Sequence, residues 1–214
     1  MFRLAGRQSE ILKAIRIDIC LQDPCTSWTL SENALAKKYN VSRTPVRQVL
    51  QLLTNVQLVE TQSGVSTQST ALKKEDRIAH HILMGELGEV AARYASSKPI
   101  SHKTKLEFMT VKNLMQIETN RSVELMLEVS GRTTDALASA IEDPIVCFAL
   151  QAALWRMIRW RAHDIMTGQG ESWEMTERNL TMLADAAMTG TTQDLLMGIS
   201  KGAKRQVAAL RASA

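Results

Sequence analysis

Two arginines one helical turn apart, Arg43 and Arg47, stand with Ser42 and Thr44 in a run whose residue types and spacing suit one chemistry. A guanidinium bonds a guanine edge bidentately or clamps a phosphate, and either arginine can take either role. The two hydroxyls add short donors for a phosphate or a base. Composition alone allows a plainer reading, in which these side chains only solvate an exposed helix face. Lys37 and Lys38 are open in the same way, as phosphate contacts or as a solvated pair. A second grouping is Arg156, Arg159 and His163, at i, i+3 and i+7, flanked by Trp155 and Trp160. Inside a helical bundle that stripe would bind a carboxylate or phosphate between aromatic walls; outside, it would be a salt-bridged face with the tryptophans in the core.

Positioning Arg43 and Arg47 requires a protruding helix with a packed underside. On a 100° wheel Val46, Val49, Leu50 and Leu53 share one face while Thr44, Arg47, Gln48 and Gln51 lie opposite. Ser42 can cap that helix through its hydroxyl, and Pro45 falls in the first turn, where a missing N–H costs little. Before it, Ser31 can cap a short helix bearing Ala34, Leu35 and Tyr39, with Asn40 as its terminus. Residues 7–21 form an earlier helix with an apolar stripe of Ile11, Leu12, Ile15 and Ile19, stopped by Asp23-Pro24. After the third helix, Val56 to Glu60 and Val65 to Gln68 read as strands around Gln62-Ser63-Gly64, with Gly64 free to take φ > 0. Three helices and a small hairpin make a winged helix-turn-helix, a unit whose second motif helix enters the major groove of duplex DNA.

The remainder reads as mainly α. Residues 69–74 are polar, lack a packing pattern and suit a connection, so the chain divides into a winged helix over 1–70 and an all-helical effector and dimerisation domain over 71–214. Helices are expected near 75–97, 101–118, 122–141, 144–166, 172–188 and 191–211, a bundle of about six, with Pro99 and Pro144 each placed where a new helix begins. Methionines 109, 115, 126, 157, 182, 188 and 197 serve as core filler or as an adaptable pocket lining.

Bulk properties fit this division. Apolar residues are 45% of the 214 and charged residues 22%, enough to bury a core and too apolar for a disordered chain. The net charge of +4 is concentrated at the front: residues 1–70 carry eight Lys/Arg against five Asp/Glu, and the rest carry eighteen against seventeen. A mild basic bias draws phosphate backbones. Cys20, Cys25 and Cys147 make neither an even disulfide set nor a CxxC metal signature, which fits free thiols in the cytoplasm. No apolar leader or membrane-length run is visible. A Gly-rich phosphate loop, GxSxG, HExxH and a paired Cys/His set are all missing, and Gly131 and Gly168-Gln169-Gly170 read as turns, so catalysis is not expected.

The spelling of the N-terminal run is more specific than its periodicity. SENALAKKYNVSRTPVRQVLQLL followed by LVETQSGVST resembles the winged helix of the GntR family of bacterial transcription regulators, over roughly residues 8–68. The resemblance implies DNA contacts from Asn33, Ser42, Arg43, Thr44 and Arg47, and from Ser63-Gly64 at the wing tip. Asn33 departs from the basic residue frequent in the family, and the turn before the second helix reads Asp23-Pro24-Cys25-Thr26-Ser27-Trp28 in place of the usual Pro-Gly. The helical half resembles the FadR-type ligand-binding domain through GELGEVAARYAS and DALASAIEDPIVCFALQAALWRMIRWR. That resemblance implies a homodimer on an inverted-repeat operator, usually a repressor, modulated by a small-molecule effector, with an organic acid the favoured class. A regulator whose helical domain has lost its effector is the rival reading.

Many members of that subfamily hold a divalent metal through an Asp, a His four residues on and two later histidines. Counting back from Pro144, the first two positions fall on Ser130 and Thr134, whose hydroxyls are weak neutral ligands. Residues 172–211 contain no histidine. No metal or other cofactor is therefore expected. Of the four histidines, His80 and His81 point about 100° apart on one helix, His102 sits near a helix start, and His163 lies near a helix end; each is read as a surface or hydrogen-bonding residue.

Overall fold

The computed structural model describes residues 6–62, 66–95, 99–168 and 172–212. The first helix, α1, spans Gly6–Cys20 and buries Ile11, Leu12, Ile15 and Ile19, the expected stripe, together with Arg16. Asp23 ends the turn after it by accepting from the Cys25 amide at 2.8 Å. Helix α2, Glu32–Lys38, starts where Ser31 accepts from the Ala34 amide. It stops at Asn40, which takes φ +50, a left-handed conformation that asparagine tolerates. Helix α3, Arg43–Asn55, buries Val46, Val49, Leu50 and Leu53 as its wheel requires. Ser42 is its N-cap residue, but its hydroxyl makes no capping bond, contrary to expectation.

The hairpin strands are β2, Val59–Gln62, and β3, Ser66–Ser69, and a two-residue strand β1, Thr29–Leu30, pairs with the other edge of β3. Val56 and Gln57 belong to a turn, where Gln57 has φ +56 and the Leu58 amide closes back on the Leu53 carbonyl at 3.0 Å. The sequence reading began the first hairpin strand three residues early because apolar Val56 and Leu58 continue the pattern of α3. It omitted β1, which is too short to show alternation.

The connection after the wing is fastened. Ser69 is buried and its hydroxyl accepts from the Trp28 amide at 2.8 Å; Leu72 is buried and its amide donates to the Pro24 carbonyl at 2.7 Å. A 3-10 turn over Lys74–Asp76 leads into the helical half. Its helices are α4 (Arg77–Tyr94), α5 (His102–Ile117), α6 (Val123–Ala140), α7 (Pro144–Thr167), α8 (Ser172–Thr189) and α9 (Thr192–Ala212). Ser101, Ser122 and Asp143 cap α5, α6 and α7 through their side chains. Pro144 occupies the first turn of α7, whereas Pro99 pairs with Thr191 in an isolated bridge before α5 begins. Gly168 ends α7 in the left-handed conformation; Gln169 and Gly170 lie outside the described residues.

Helices α4 and α9 approach closely at Gly88, where a methyl would sit 3.2 Å from both the Leu196 carbonyl and the Ser200 amide. Phe108, Trp160, Met115, Met126, Leu137 and Leu150 are fully buried, while Met109 and Met188 are exposed and are not core filler. The apolar cluster beneath α1 and α3 continues into Met126 and Leu127 of α6 and Trp155, Ile158 and Ala162 of α7. At its edge the buried Arg16 guanidinium lies 4.7 Å over the Trp155 ring and pairs with Asp135 at 2.9 Å. The two halves are thus packed against each other as well as joined.

Candidate functional site

The polar side of α3 is open to solvent: Ser42, Arg43, Thr44, Arg47 and Gln48 are all exposed, as is Asn33 at the start of α2. These α3 donors, running from the N-cap into the second turn, are held by the buried Val46 and Val49 beneath them. Arg47 spans the motif, its Nε and Nη2 donating to the two carboxylate oxygens of Glu32 at 3.0 and 2.9 Å. That fork holds the Glu32 carboxyl below its ordinary range, with Arg43 adding to the effect, and raises Arg47. Glu32 is the residue that sequence reasoning missed; it stands fifteen positions from Arg47, so only the α2–α3 packing brings it near. An exposed ion pair of this kind contributes little to stability, and its effect is to fix where the guanidinium points.

Around this core, Arg7 donates to the Tyr39 and Asn40 carbonyls at 3.1 and 3.3 Å, tying α1 to the turn between α2 and α3. Both lysines are exposed, and Lys38 is paired with Asp18 of α1 at 2.6 Å. Ser63 and Gly64 lie outside the described residues. Because Glu32 draws Arg47 away from any phosphate, Glu32→Gln is expected to tighten binding to operator and non-operator duplexes alike, by a few fold in fluorescence anisotropy. Unchanged affinity for both would show that the fork survives on DNA.

The stripe of Arg156, Arg159 and His163 is not brought together on a cavity. Arg159 is 1% exposed and donates to the Thr70 carbonyl and, at 3.1 Å, to the Pro24 carbonyl. It therefore faces the winged helix and connection, and burial lowers its affinity for a proton. Arg156 and His163 are only half-buried, and Trp155 and Trp160 are core residues. Trp160 donates to Nδ1 of His80 at 3.3 Å, which gives that histidine its hydrogen-bonding role. Arg159→Ala strips donors from two carbonyls and opens a cavity, so a loss of stability of about 2–3 kcal/mol is expected by denaturant titration. Arg159→Met, which keeps the volume, should recover part of it; an undiminished midpoint in the alanine variant would contradict the tie.

A cavity of about 60 Å³ does lie in the helical half. Its polar wall comprises His81 of α4, Ser130 and Thr134 of α6, Arg161 of α7, Asn179 of α8 and Gln206 of α9. Met84, Leu137, Met157, Met182 and Leu183 supply much of the apolar wall, so two of the methionines do line a pocket. The donor set does not fit a metal. Thr134 spends its hydroxyl on the Ser130 carbonyl at 2.9 Å and Ser130 on the Met126 sulfur at 3.4 Å. Among the described residues no group of three His, Cys, Asp or Glu side chains could hold an ion.

Residues 7–68 match the profile of the bacterial regulatory proteins of the gntR family. Among solved structures, E. coli McbR/YncC is similar at a TM-score of 0.62 and 16% identity, covering 98% of this chain and 99% of that one. A GntR-type transcriptional regulator from Rhodococcus sp. RHA1 is similar at 0.54 and 17%, covering 98% and 100%. Likeness at such identity concerns the fold. No curated protein matches the sequence. Fold and exposed α3 define a winged helix of the gntR type at the front of the chain, with a helical domain behind. The match to the gntR family covers the winged helix, in the first third of the chain. None of its described helices is long and apolar enough to cross a membrane.

Proposed function

We propose that the chain acts as a homodimer on an inverted-repeat operator, as a repressor, and that a small organic acid entering the helical domain changes its grip on DNA. The observation that carries the DNA reading is the exposed leading end of α3, with Arg43, Thr44 and Arg47 raised on a buried apolar underside. In this reading Arg43 and Arg47 reach base edges or phosphates. Ser42, Thr44 and Asn33 position the helix on the backbone, and Ser63-Gly64 approach the adjacent minor groove. One recognition helix distinguishes too few base pairs against genomic competition, which favours two-fold pairing of protein and site. Exposed apolar side chains in the helical half, Ile82 and Leu83 on α4 and Leu106, Met109 and Ile117 on α5, are surface that a second copy can cover.

The geometry of α7 supports the effector reading. Arg159 and Arg161 are about 200° apart around that helix, so it shows one guanidinium to the connection beneath the winged helix and the other to the cavity. A ligand that shifts α7 thus acts on the carbonyls that fix the connection. It changes DNA affinity only if it binds one arrangement more tightly than the other. The test is selection of a preferred duplex from a random pool, followed by light scattering of the complex. A two-fold site bound by two chains is the expected result; no enriched duplex, or one chain per half-site without pairing, would refute the proposal. Lys37→Gln should weaken all duplexes evenly and reduce the salt slope by about one.

A further inference from the structure

We infer that the cavity between α4, α6, α7, α8 and α9 is a metal-independent site for a small monocarboxylate, with the Arg161 guanidinium supplying the positive charge and His81 a neutral donor. This rests on the effector reading above and departs from the family pattern in which a divalent ion anchors the ligand.

The charge around the site is unbalanced. Arg77, Arg161 and Asp164 meet beside His81 and Gln206. Asp164 forms an ion pair with Arg77 through Oδ2, its Oδ1 being buried without a hydrogen-bond partner, and Arg77 also lies 5.4 Å over the Trp160 ring. Arg161 forms no ion pair of its own among the described residues. Two guanidiniums and one carboxylate leave a single net positive charge in a poorly solvated place. Desolvation draws Arg161 down to about 10, so it remains protonated at neutral pH. An unpaired cation there is costly, and one monoanion beside Arg161 removes that cost.

Unused hydrogen-bonding capacity points to the same place. His81 is 3% exposed, and neither ring nitrogen has a partner. Gln206 has its amide oxygen buried without a partner, and its amide, turned over, offers N–H donors instead. A carboxylate between Arg161, His81 and Gln206 would satisfy groups that the protein leaves unsatisfied, on three different helices. Ser130 and Thr134 have already spent their hydroxyl protons within α6, so this polar end of the cavity is the one still open to a ligand.

Size and lining narrow the class. A cavity of about 60 Å³ has room for about four to six water-sized groups. Met84, Leu137, Met157 and Leu183 make much of the remaining wall apolar. A single charge, a short aliphatic body and no second anionic group fit this space; a dianion would exceed the available positive charge.

The test uses the full chain with sodium propionate as probe, sodium chloride as ionic control, and zinc with and without chelator, read by thermal shift and calorimetry. Propionate should saturate and raise the midpoint equally with chelator present. Arg161→Gln should weaken it at least about tenfold, whereas Arg156→Gln, off the cavity, should not. If Arg161→Gln fails to fold, Leu183→Phe, which fills the cavity and keeps the charge, must abolish the shift. The site is overturned if propionate does not saturate by about 100 mM, if saturation requires zinc, if phosphate binds in its place, or if both variants bind as before. Zinc-dependent binding would leave the effector reading standing. Saturation with no change in operator affinity would instead leave the site standing and refute the control of DNA binding.

Discussion

Removing Arg43 and Arg47 together is expected to reduce affinity for the preferred duplex by about 2–6 kcal/mol, that is, by tens to tens of thousands of fold. Both side chains stand on the solvent side of α3 and contribute nothing to its packing, which rests on Val46, Val49, Leu50 and Leu53. The double alanine variant should therefore melt within about 0.5 kcal/mol of the parent. Among the described residues, the side-chain bonds it loses are the two of the exposed fork to Glu32. The single variants separate the roles. An arginine that reads a base should relax preference at one operator position when removed; one that clamps a phosphate should weaken every duplex and flatten the salt dependence. Titrations by anisotropy on matched and mismatched duplexes distinguish these outcomes, and parent-like affinity in the double variant would take α3 out of the interface.

The recognition unit was legible because two independent signals agree on α3. Its apolar residues recur with helical period, and its spelling resembles a family run. The order of helices after residue 76 was legible from periodicity and from Pro144, which opens α7, while the caps Ser101, Ser122 and Asp143 emerged only from the structure. What the sequence concealed depends on which side of a helix meets which neighbour. Arg156, Arg159 and His163 do form one stripe on α7, but periodicity cannot say that Arg159 turns toward Pro24 and Thr70 while Arg161 turns to the cavity. The polar appearance of residues 69–74 similarly hid two burials, since Ser69 is satisfied by the Trp28 amide and Leu72 fills a gap beside Pro24. His81 looked no different from His80, because only packing makes one a buried orphan and the other a partner for Trp160.

That buried imidazole should make the fold acid-sensitive. Burial, reinforced by Arg161, Arg77 and His80, pulls His81 from 6.5 down to about 3, so it is neutral in the folded protein at every pH above that value. Once unfolded it regains its ordinary proton affinity. Below pH 6.5 the unfolded chain therefore holds a proton that the folded chain refuses. Stability is full above that pH and falls by about 1.4 kcal/mol per pH unit on acidification, levelling off near pH 3. Between pH 6.5 and pH 5 the expected loss from this residue is about 2 kcal/mol. His80, whose proton affinity is also lowered by burial and Arg156, acts in the same direction. Urea titrations of the parent and His81→Gln at both pH values isolate the contribution, because carboxylates elsewhere titrate equally in each. The difference between the two proteins should widen in the variant's favour as pH falls, and parallel curves would mean that the imidazole meets water. A carboxylate seated beside Arg161 would offset the cationic neighbours of His81 and shallow this slope, so the same titration with propionate present joins the stability of the bundle to the occupancy of its cavity.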